Sequence, residues 1–330
     1  MKQMGLSNSR SLTENVYWLA LQDKHWLIPT RKVVRAFQEL GSLKSFWNAT
    51  YSYLHQLGLD DQTIRKFNKH RTVVRIEDFS KMLNSLSQKQ IRIIRYVDED
   101  YPEMLRNTME EPPLLILHKG SLMDFDNCVA IVGTRNASFY GRMMARKLGK
   151  SIASEGYTIV SGLARGIDEW AHCGALESSR GKTIAVLAWI DPVYPSEHAE
   201  LLKDIEKRGA ILSERFQKPF NKYAPSKFVQ RNRITSGISR CVIAIESDAE
   251  GGTVHQVKFA LSQRRKVFVL KPKDNERAKR GFKVFVDMGA TPIRSSREVL
   301  DFLKSEIPLT TKERKLDSYY QHSLDVLGKG

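Results

Sequence analysis

The chain of 330 residues has few cysteines and no long apolar run. Its three cysteines, Cys128, Cys173 and Cys241, are widely spaced and odd in number, which argues against a disulfide framework and indicates buried thiols in a reducing compartment. No apolar stretch approaches the roughly 20 residues that a membrane-spanning helix needs. The opening residues, MKQMGLSNSRSLTEN, lack the apolar segment of a signal peptide. We therefore expect a cytoplasmic protein that has no membrane partner.

The sequence also lacks the short motifs of several enzyme classes. It contains no G-x-x-x-x-G-K-[ST], no H-E-x-x-H and no G-x-S-x-G, which argues against a phosphate-binding loop, a zinc-protease helix and a hydrolase nucleophile turn. The loop GTRNASFYG does not have the glycine spacing of the dinucleotide fingerprint. No pair of carboxylates has a clear acid and base arrangement. The sequence therefore predicts no catalytic residue, no metal site and no cofactor.

Acidic residues are outnumbered by basic ones. The chain has 37 Asp+Glu against 53 Lys+Arg, which gives a formal net charge of +16 and a pI near 9.7. An excess of this size indicates a polyanionic partner, and foremost a nucleic acid. With 41% hydrophobic and 27% charged residues, the composition is otherwise typical of a globular protein.

The first part of the chain has a helical pattern, from residue 11 to about residue 88. The stretch TRKVVRAFQELGSLKSFW, for example, places Val33, Val34, Phe37 and Leu40 on one face, and Gly41 is suited to end the helix. We therefore predict an N-terminal helical domain.

The pattern changes at Asn127, after which short apolar strands alternate with helices. The six strands are CVAIVG, YTIVSG, KTIAVLA, AILSE, CVIAIES and KVFVL. This alternation predicts an α/β fold with a doubly wound, mostly parallel sheet. We place the helical domain at residues 1–95, the α/β domain at residues 96–306 and a polar tail at residues 307–330.

Small residues and arginines follow three of these strands. Doubly wound sheets bind ligands outside the carboxyl ends of their strands, and glycines there allow an anion to approach backbone N–H groups. An arginine at such an edge suits phosphate. The alternative is that the glycines only permit tight turns. The candidate residues are Gly133, Thr134 and Arg135 after the first strand, Gly162 and Arg165 after the second, and Gly251, Gly252 and Thr253 after the fifth.

The segment PSKFVQRNRITSGISR places four cations before the buried strand CVIAI. These are Lys227, Arg231, Arg233 and Arg240, with Phe228 among them. We expect residues 225–239 to bring their cations to the same sheet edge, where they would pair with phosphates while Phe228 stacks on a base. Arg231 and Arg233 lie two residues apart, so on a helix one faces the ligand and the other serves the structure.

Three polar residues close to these loops are better explained by structure than by catalysis. Asp168 suits the start of a helix. His172 and His255 lie within helical stretches and are expected to be packed, with His255 the better placed to face the cleft.

Four stretches, taken in order, resemble the DprA/Smf family, the DNA-processing proteins of natural transformation. They are VAIVGTRNASFYG, VSGLARGIDEWAHCGAL, GKTIAVLA with the later VYPSEH, and KFVQRNRITSGIS. The resemblance covers roughly residues 96–300. It implies an extended Rossmann-like domain that binds single-stranded DNA, forms a homodimer and passes the strand to a RecA-type recombinase.

The resemblance also assigns residues to a DNA pocket. Arg135 matches the arginine of the family's G-[ST]-R motif, and Phe228 matches the aromatic residue of F-x-x-R-N-R. The remaining residues of that second motif correspond to Arg231, Asn232 and Arg233.

Some positions depart from the family pattern. The pocket lysine of the family lies a few residues before the phenylalanine, and here both Lys222 and Lys227 are candidates. Where the family has the motif S-G-S-L-x-T-A, this chain has AEGGTVHQ, and where the family has V-F-A-x-P-G, it has VFVLKPKD. These departures indicate a divergent member, which acts in transformation or in a mobile-element or phage-defence variant of that role.

Two other functions remain open. One is a nucleotide-binding or nucleotide-hydrolysing enzyme of the same superfamily, similar to phosphoribohydrolases, because EGGT resembles their G-G-x-G-T loop and Glu246 or Asp168 could serve as the acid. The other is a protein scaffold with a vestigial pocket. The charge of +16 favours a strand binder that is not an enzyme, because a mononucleotide pocket needs few cations.

Overall fold

The first part of the computed structural model is helical, as the sequence predicts. The structure describes residues 4–23, 27–218, 224–273 and 275–306. The helices that precede the first strand in these ranges are α1 (Met4–Asp23), α2 (Thr30–Leu40), α3 (Leu43–Trp47), α4 (Tyr51–Gln56), α5 (Asp61–Val73) and α6 (Ile76–Gln88).

Local signals in the sequence set the ends of these helices. Helix α2 buries Val33 and Val34 and ends at Gly41, whose φ of 71° is a conformation that glycine adopts without strain. Helix α5 begins after Asp60, whose carboxylate accepts a hydrogen bond of 2.9 Å from the Thr63 N–H.

The second part contains a sheet of nine strands within the described residues. The order of the strands is β1-β2-β6-β5-β4-β3-β7-β8-β9; β1 and β2 are antiparallel to their neighbours and all other pairs are parallel. The predicted α/β fold with a mostly parallel sheet is confirmed. The strands are β1 (Arg92–Arg95), β2 (Leu115–Gly120), β3 (Cys128–Gly133), β4 (Thr158–Ser161), β5 (Lys182–Val186), β6 (Ala210–Ser213), β7 (Cys241–Ile245), β8 (Lys266–Leu270) and β9 (Thr291–Ile293).

Helices cover both faces of the sheet, and the alternation of side chains along β3 shows why. Val129 and Ile131 pack with α8 and α9, whereas Ala130 and Val132 pack with α12 and α13 on the other face. The helices of this part are α7 (Glu103–Thr108), α8 (Phe139–Ser154), α9 (Ile167–Glu177), α10 (Ala199–Arg208), α11 (Ala224–Gly237), α12 (Gly252–Ser262), α13 (Glu276–Asp287) and α14 (Arg297–Ser305).

The N-terminal helices share a hydrophobic cluster with the sheet. Trp18 of α1 and Phe46 of α3 belong to the same buried cluster as Leu115 of β2 and Leu187 after β5. The Leu115 N–H also donates to the Gln22 side-chain oxygen at 3.3 Å. The division into domains at residues 95 and 96 stays a prediction, and the predicted tail lies outside the described residues. Among the helices that the structure describes, none is long and apolar enough to cross a membrane.

The order of the sheet fixes where a ligand would bind. Strand β3 pairs with β4 on one side and with β7 on the other, so the direction of winding reverses at β3. The loops after these strands diverge at this switch point and leave a crevice at the carboxyl ends of the strands.

Candidate functional site

A cavity of about 530 Å³ opens at the carboxyl ends of β3, β4 and β7. Most of the predicted site residues line it, together with Tyr194, Thr235, Gln256 and Arg277, which the sequence analysis did not single out. The predicted residues at this cavity are Gly133, Thr134, Arg135, Gly162, Phe228, Arg231, Asn232, Gly251, Gly252 and Thr253.

Arg135 lies at this cavity without a carboxylate partner in the part of the chain that the structure describes. The preceding residue, Thr134, is held by both of its backbone groups: its N–H donates to the Glu246 carbonyl at 2.8 Å, and its carbonyl accepts the Ile167 N–H at 3.2 Å. The guanidinium carbon of Arg135 is 5.5 Å from the centre of the Phe228 ring, which is cation–π geometry. Arg135 is therefore positioned by an aromatic face and keeps its charge available.

Phe228 belongs to an aromatic cluster at the side of the cavity. Its ring centre is 4.9 Å from that of Trp189 and 5.5 Å from that of Tyr194. Trp189 is buried and donates its indole N–H to the Pro192 carbonyl at 2.9 Å, whereas the side chain of Tyr194 is 47% exposed. Tyr194 is the open aromatic face of the cluster, and its only signal in the sequence was its place in the motif VYPSEH.

Arg231 forms part of the floor of the cavity. It is buried, donates to the Val186 carbonyl and lies so close to Gly162 that a Cβ at that position would overlap the guanidinium. Burial lowers the pKa of Arg231 to about 10, with the charge of Asp168 opposing this effect and that of Arg135 adding to it. Arg231 therefore stays positive at neutral pH, although it faces mainly protein.

Asp168 is buried beneath the same floor. Its carboxylate accepts the Gly162 N–H at 3.1 Å and the Ala164 N–H at 3.4 Å, so it caps the loop before α9. Burial raises the pKa of Asp168, and the charge of Arg231 acts in the opposite direction. Asp168 lies in the first turn of α9, at the start of a helix as expected, and its hydrogen bonds hold the preceding loop instead of capping the helix.

The three glycine-bearing loops differ in the backbone amides that they offer. In the first loop the N–H groups of Thr134, Asn136 and Ser138 donate to protein oxygens. In the second loop the Asp168 carboxylate accepts hydrogen bonds from two backbone N–H groups. Helix α12, which follows the third loop, has no side-chain cap at its N-terminus. The N-terminus of α12 thus offers the predicted phosphate cradle first-turn amides that no side chain caps.

The arginines of α11 and its C-terminal end are directed to different edges of the sheet. Arg233 pairs with the buried Glu214 and donates to the Glu111 carbonyl at 3.1 Å. Arg240 lies at the opposite edge, where its N–H donates to the Cys128 carbonyl and its guanidinium contacts Glu306 at 3.3 Å. The expectation that residues 225–239 bring all of their cations to the cavity is wrong for Arg233, because the buried Glu214, which follows β6, holds Arg233 away from the switch point. Arg240 lies at the amino ends of the strands, because a helix that precedes a parallel strand runs away from the carboxyl edge.

The other predicted basic residues lie beside the cavity or outside the described structure. Arg165 lines a small recess next to Phe228 and pairs with Glu197 at 2.5 Å. Lys227 contacts the Gln230 side chain at 3.0 Å. Lys222 lies outside the described residues, so the choice between the two lysines stays open.

Neither of the two carboxylates considered for catalysis is free. Asp168 caps its loop, and Glu246 accepts the N–H and the hydroxyl of Ser138. The histidines differ from each other: His172 is buried as predicted, whereas His255 is exposed on α12, so its prediction as a packed residue is wrong. Among the described residues, no group of histidine, cysteine and acidic side chains could hold a metal ion. The cysteines are free thiols; Cys128 and Cys241 are buried as expected and Cys173 is partly buried.

Comparison with known proteins gives consistent matches. A family model described as DNA recombination-mediator protein A matches residues 92–304. Protein Smf of Synechocystis sp. is 32% identical over 304 residues, which are 90% of this chain and 74% of that protein. DNA processing protein DprA of Bacillus subtilis is 31% identical over 226 residues, 68% of this chain and 75% of that protein.

Two solved structures extend the comparison. The X-ray structure of DprA from Streptococcus pneumoniae matches with a TM-score of 0.71 and 26% identity, over 88% of this chain and 97% of that chain. DNA processing protein A from Helicobacter pylori matches with a TM-score of 0.57 and 25% identity, over 66% of this chain and 97% of that chain. The structure of the Helicobacter protein was described for its single-stranded DNA binding mode.

Proposed function

The chain belongs to the DNA recombination-mediator protein A family, and from this premise we propose that it binds single-stranded DNA in the cavity at the switch point and mediates recombination. The resemblance to DprA/Smf predicted from the motifs is confirmed. The observation that carries the proposal is Arg135, an arginine without an ion pair among the described residues, set on the Phe228 ring beside the uncapped N-terminus of α12.

Each part of the cavity suits one part of a nucleotide. The Arg135 guanidinium presents a fork of donors to a phosphate, and the first amides of α12 add a site of partial positive charge. The exposed Tyr194 ring and the neighbouring Phe228 offer a surface on which a base can stack. Phosphates and π-faces are common to all nucleotides, so we expect binding that is largely indifferent to sequence.

We expect no catalysis by this site. The nucleotide-hydrolysing alternative requires a carboxylate that is available to the substrate, and both candidate acids are engaged by backbone or hydroxyl groups. No hydrolysis of AMP, ATP or DNA should exceed that of a mock preparation. Reproducible turnover that is lost in Asp168→Ala or Glu246→Ala would favour the enzyme.

Two further parts of the proposal rest on the family alone. We propose that the protein forms a homodimer and that it passes the bound strand to a RecA-type recombinase. Two cavities on one dimer would increase affinity for longer strands. Light scattering at micromolar concentration tests the dimer, and a monomer would count against it.

The deciding experiment measures binding and stability of Arg135 variants in parallel. Arg135→Ala should weaken binding to fluorescent oligothymidine by about 1.5–3 kcal/mol, the worth of a charged hydrogen bond, without a change in Tm. Arg135→Lys should recover only part of this loss, because an ammonium group cannot make the two-pronged contact. Arg65→Ala is the control, since the Arg65 side chain is 79% exposed on α5 in the helical part.

The opposite pattern would contradict the proposal. If Arg135 served only the fold, Arg135→Ala would lower Tm while the folded protein kept its affinity for the strand. Unchanged binding by a folded Arg135→Ala variant would exclude this cavity as the DNA site.

A further inference from the structure

A second cavity, of about 740 Å³, lies next to the first and shares Arg135 with it. A small recess between them is lined by residues of both, including Arg165 from the second and Phe228 from the first. The two cavities therefore form one continuous depression, in which a ligand that leaves the first passes Arg135 and enters the second.

The second cavity is lined by unusually exposed apolar side chains. Phe139 is 77% exposed and Met143 is 45% exposed. They lie four residues apart in the first turns of α8, so they share one face of the helix. Of the large apolar side chains that are exposed in the described residues, these two and Tyr194 lie at the two cavities. Exposed apolar groups that gather in one place indicate a binding surface.

Arginines alternate with these apolar groups. Arg142, which lies between Phe139 and Met143 along α8, also lines the second cavity. It makes no ion pair within the structure described. Two other arginines there are paired: Arg165 with Glu197, and Arg146 with Glu177. Besides the shared Arg135, Arg142 is thus the arginine of this cavity that is available to an anion.

We propose that Phe139, Met143 and Arg142 form a second subsite for single-stranded DNA, which holds the nucleotides that continue from the strand in the first cavity. This inference rests on the proposed function. An aromatic ring beside an unpaired arginine is the combination that binds a base and its phosphate. Continuity through Arg135 favours the same strand as the occupant over a separate protein partner.

Oligothymidines of two lengths separate the two cavities. Single-strand sites commonly cover about 4 to about 16 nucleotides, so we expect a strand of about 4 to be held at the first cavity and a strand of about 16 to reach beyond it. The double variant Phe139→Ala/Arg142→Ala should bind the long strand roughly tenfold more weakly than the unchanged protein, and the short strand equally well. The matched control is Val73→Ala/Arg65→Ala, which removes an exposed apolar group and an exposed arginine from α5.

Photo-crosslinking gives a second, direct measurement. A long strand with 5-iodouracil at single positions should crosslink to Phe139 or to Trp170, which also lines the second cavity, from positions at one end of the strand. Mass spectrometry of the crosslinked peptides identifies the residue.

Each remaining outcome has a defined meaning. The subsite would be overturned if the double variant bound the long strand as tightly as the unchanged protein, or if its affinity fell equally for both strand lengths. Unchanged binding of the long strand would favour a protein partner as the ligand of this face. If the unchanged protein bound neither strand, the proposed function would fail and this inference with it. If Arg135→Ala weakened both strands while the double variant weakened neither, only the inference would fail.

Discussion

At the scale of single residues, the glycines of the cavity are present for different reasons. A Cβ at Gly133 would overlap the Ile245 carbonyl of the neighbouring strand, and one at Gly162 would overlap the Arg231 guanidinium. A Cβ at Gly252 would have no neighbour within 4 Å. The first two glycines are thus required by the packing of the protein, whereas Gly252 leaves space at the N-terminus of α12 that a ligand can use.

This difference predicts opposite results for two glycine variants. Gly252→Ala should keep its Tm but weaken binding of oligothymidine by about 1 kcal/mol, because the added methyl group obstructs the approach of a phosphate to the α12 amides. Gly133→Ala should lower the free energy of unfolding by more than about 2 kcal/mol, because β3 and β7 must separate to admit the methyl group. Thermal melts and fluorescence anisotropy on the same preparations measure both effects.

The Gly252→Ala variant tests directly whether the N-terminus of α12 binds a phosphate. If Gly252→Ala bound the strand as well as the unchanged protein, the N-terminus of α12 would not hold a phosphate, and Arg135 would be the main anchor. The comparison is informative because both changes add the same single methyl group.

The sequence predicted most of the residues that gather at the cavity, but not which of them are free to bind. Arg135 and Arg231 both come from recognisable motifs, yet only the structure distinguishes an arginine on an aromatic face from one buried against the Val186 carbonyl. Each arginine contacts a residue that is distant from it in the sequence, Phe228 for Arg135 and Val186 for Arg231. Spacing within a motif therefore carries no information about these contacts.

At the scale of helices and strands, α9 contains a buried histidine that couples stability to pH. His172 is fully buried, and its Nδ1 lies 2.7 Å from the Thr183 hydroxyl of β5, which itself donates to the Ile159 carbonyl. Since the hydroxyl proton is used there, Nδ1 of His172 is the donor in this contact. Burial lowers the pKa of His172 to about 3, and the charges of His198 and Arg231 add to this.

The pKa of His172 predicts a loss of stability in mild acid. An unfolded histidine titrates near pH 6.5, so between that value and about pH 3 the unfolded chain binds one more proton than the folded chain. The free energy of unfolding should therefore decrease as the pH falls, by about 2–3 kcal/mol at roughly pH 4.5 from this group. Urea titrations at several pH values measure this slope.

Two variants isolate the contribution of His172. In His172→Gln, the free energy of unfolding should fall less between neutral pH and roughly pH 4.5, by about 2–3 kcal/mol, because glutamine does not titrate. His255→Gln is the control, since His255 is exposed on α12. The same pH dependence in His172→Gln and in the unchanged protein would contradict the assignment. The comparison with the unchanged protein is needed because burial also lowers the pKa of His118.

The buried strands inside the sheet were predictable, and the two strands at its edges were not. Each of the strands β3 to β8 has at least four consecutive buried residues, and the apolar residues among them are evident in the sequence. Strand β1 consists of RIIR, and β9 is only Thr291–Ile293 with a proline inside. Both lie at edges of the sheet, where charge and proline are tolerated, so pairing with a neighbour defines them more than their own sequence does.

At the scale of the whole molecule, the net charge of +16 is not concentrated in the first cavity. There Arg231 lies near Asp168, and Arg277 pairs with Asp248 at 3.1 Å. Arg135 is the cation at this cavity without an acidic partner among the described residues. Most of the positive charge therefore acts from the surrounding surface, where it attracts the strand and neutralises phosphates outside the cavity.

This distribution predicts how binding depends on salt and on strand length. The affinity for oligothymidine should fall between about 50 mM and about 200 mM salt, with a slope on a log–log plot of about 0.7 for each neutralised phosphate. The slope should be steeper for a strand of about 16 nucleotides than for one of about 4, because the longer strand reaches surface cations. Arg135→Ala should reduce the slope by about 0.7 for both lengths, since it removes one contact in the cavity. An affinity that is flat with salt would contradict a phosphate-based site, and equal slopes for the two lengths would confine the DNA contacts to the cavity.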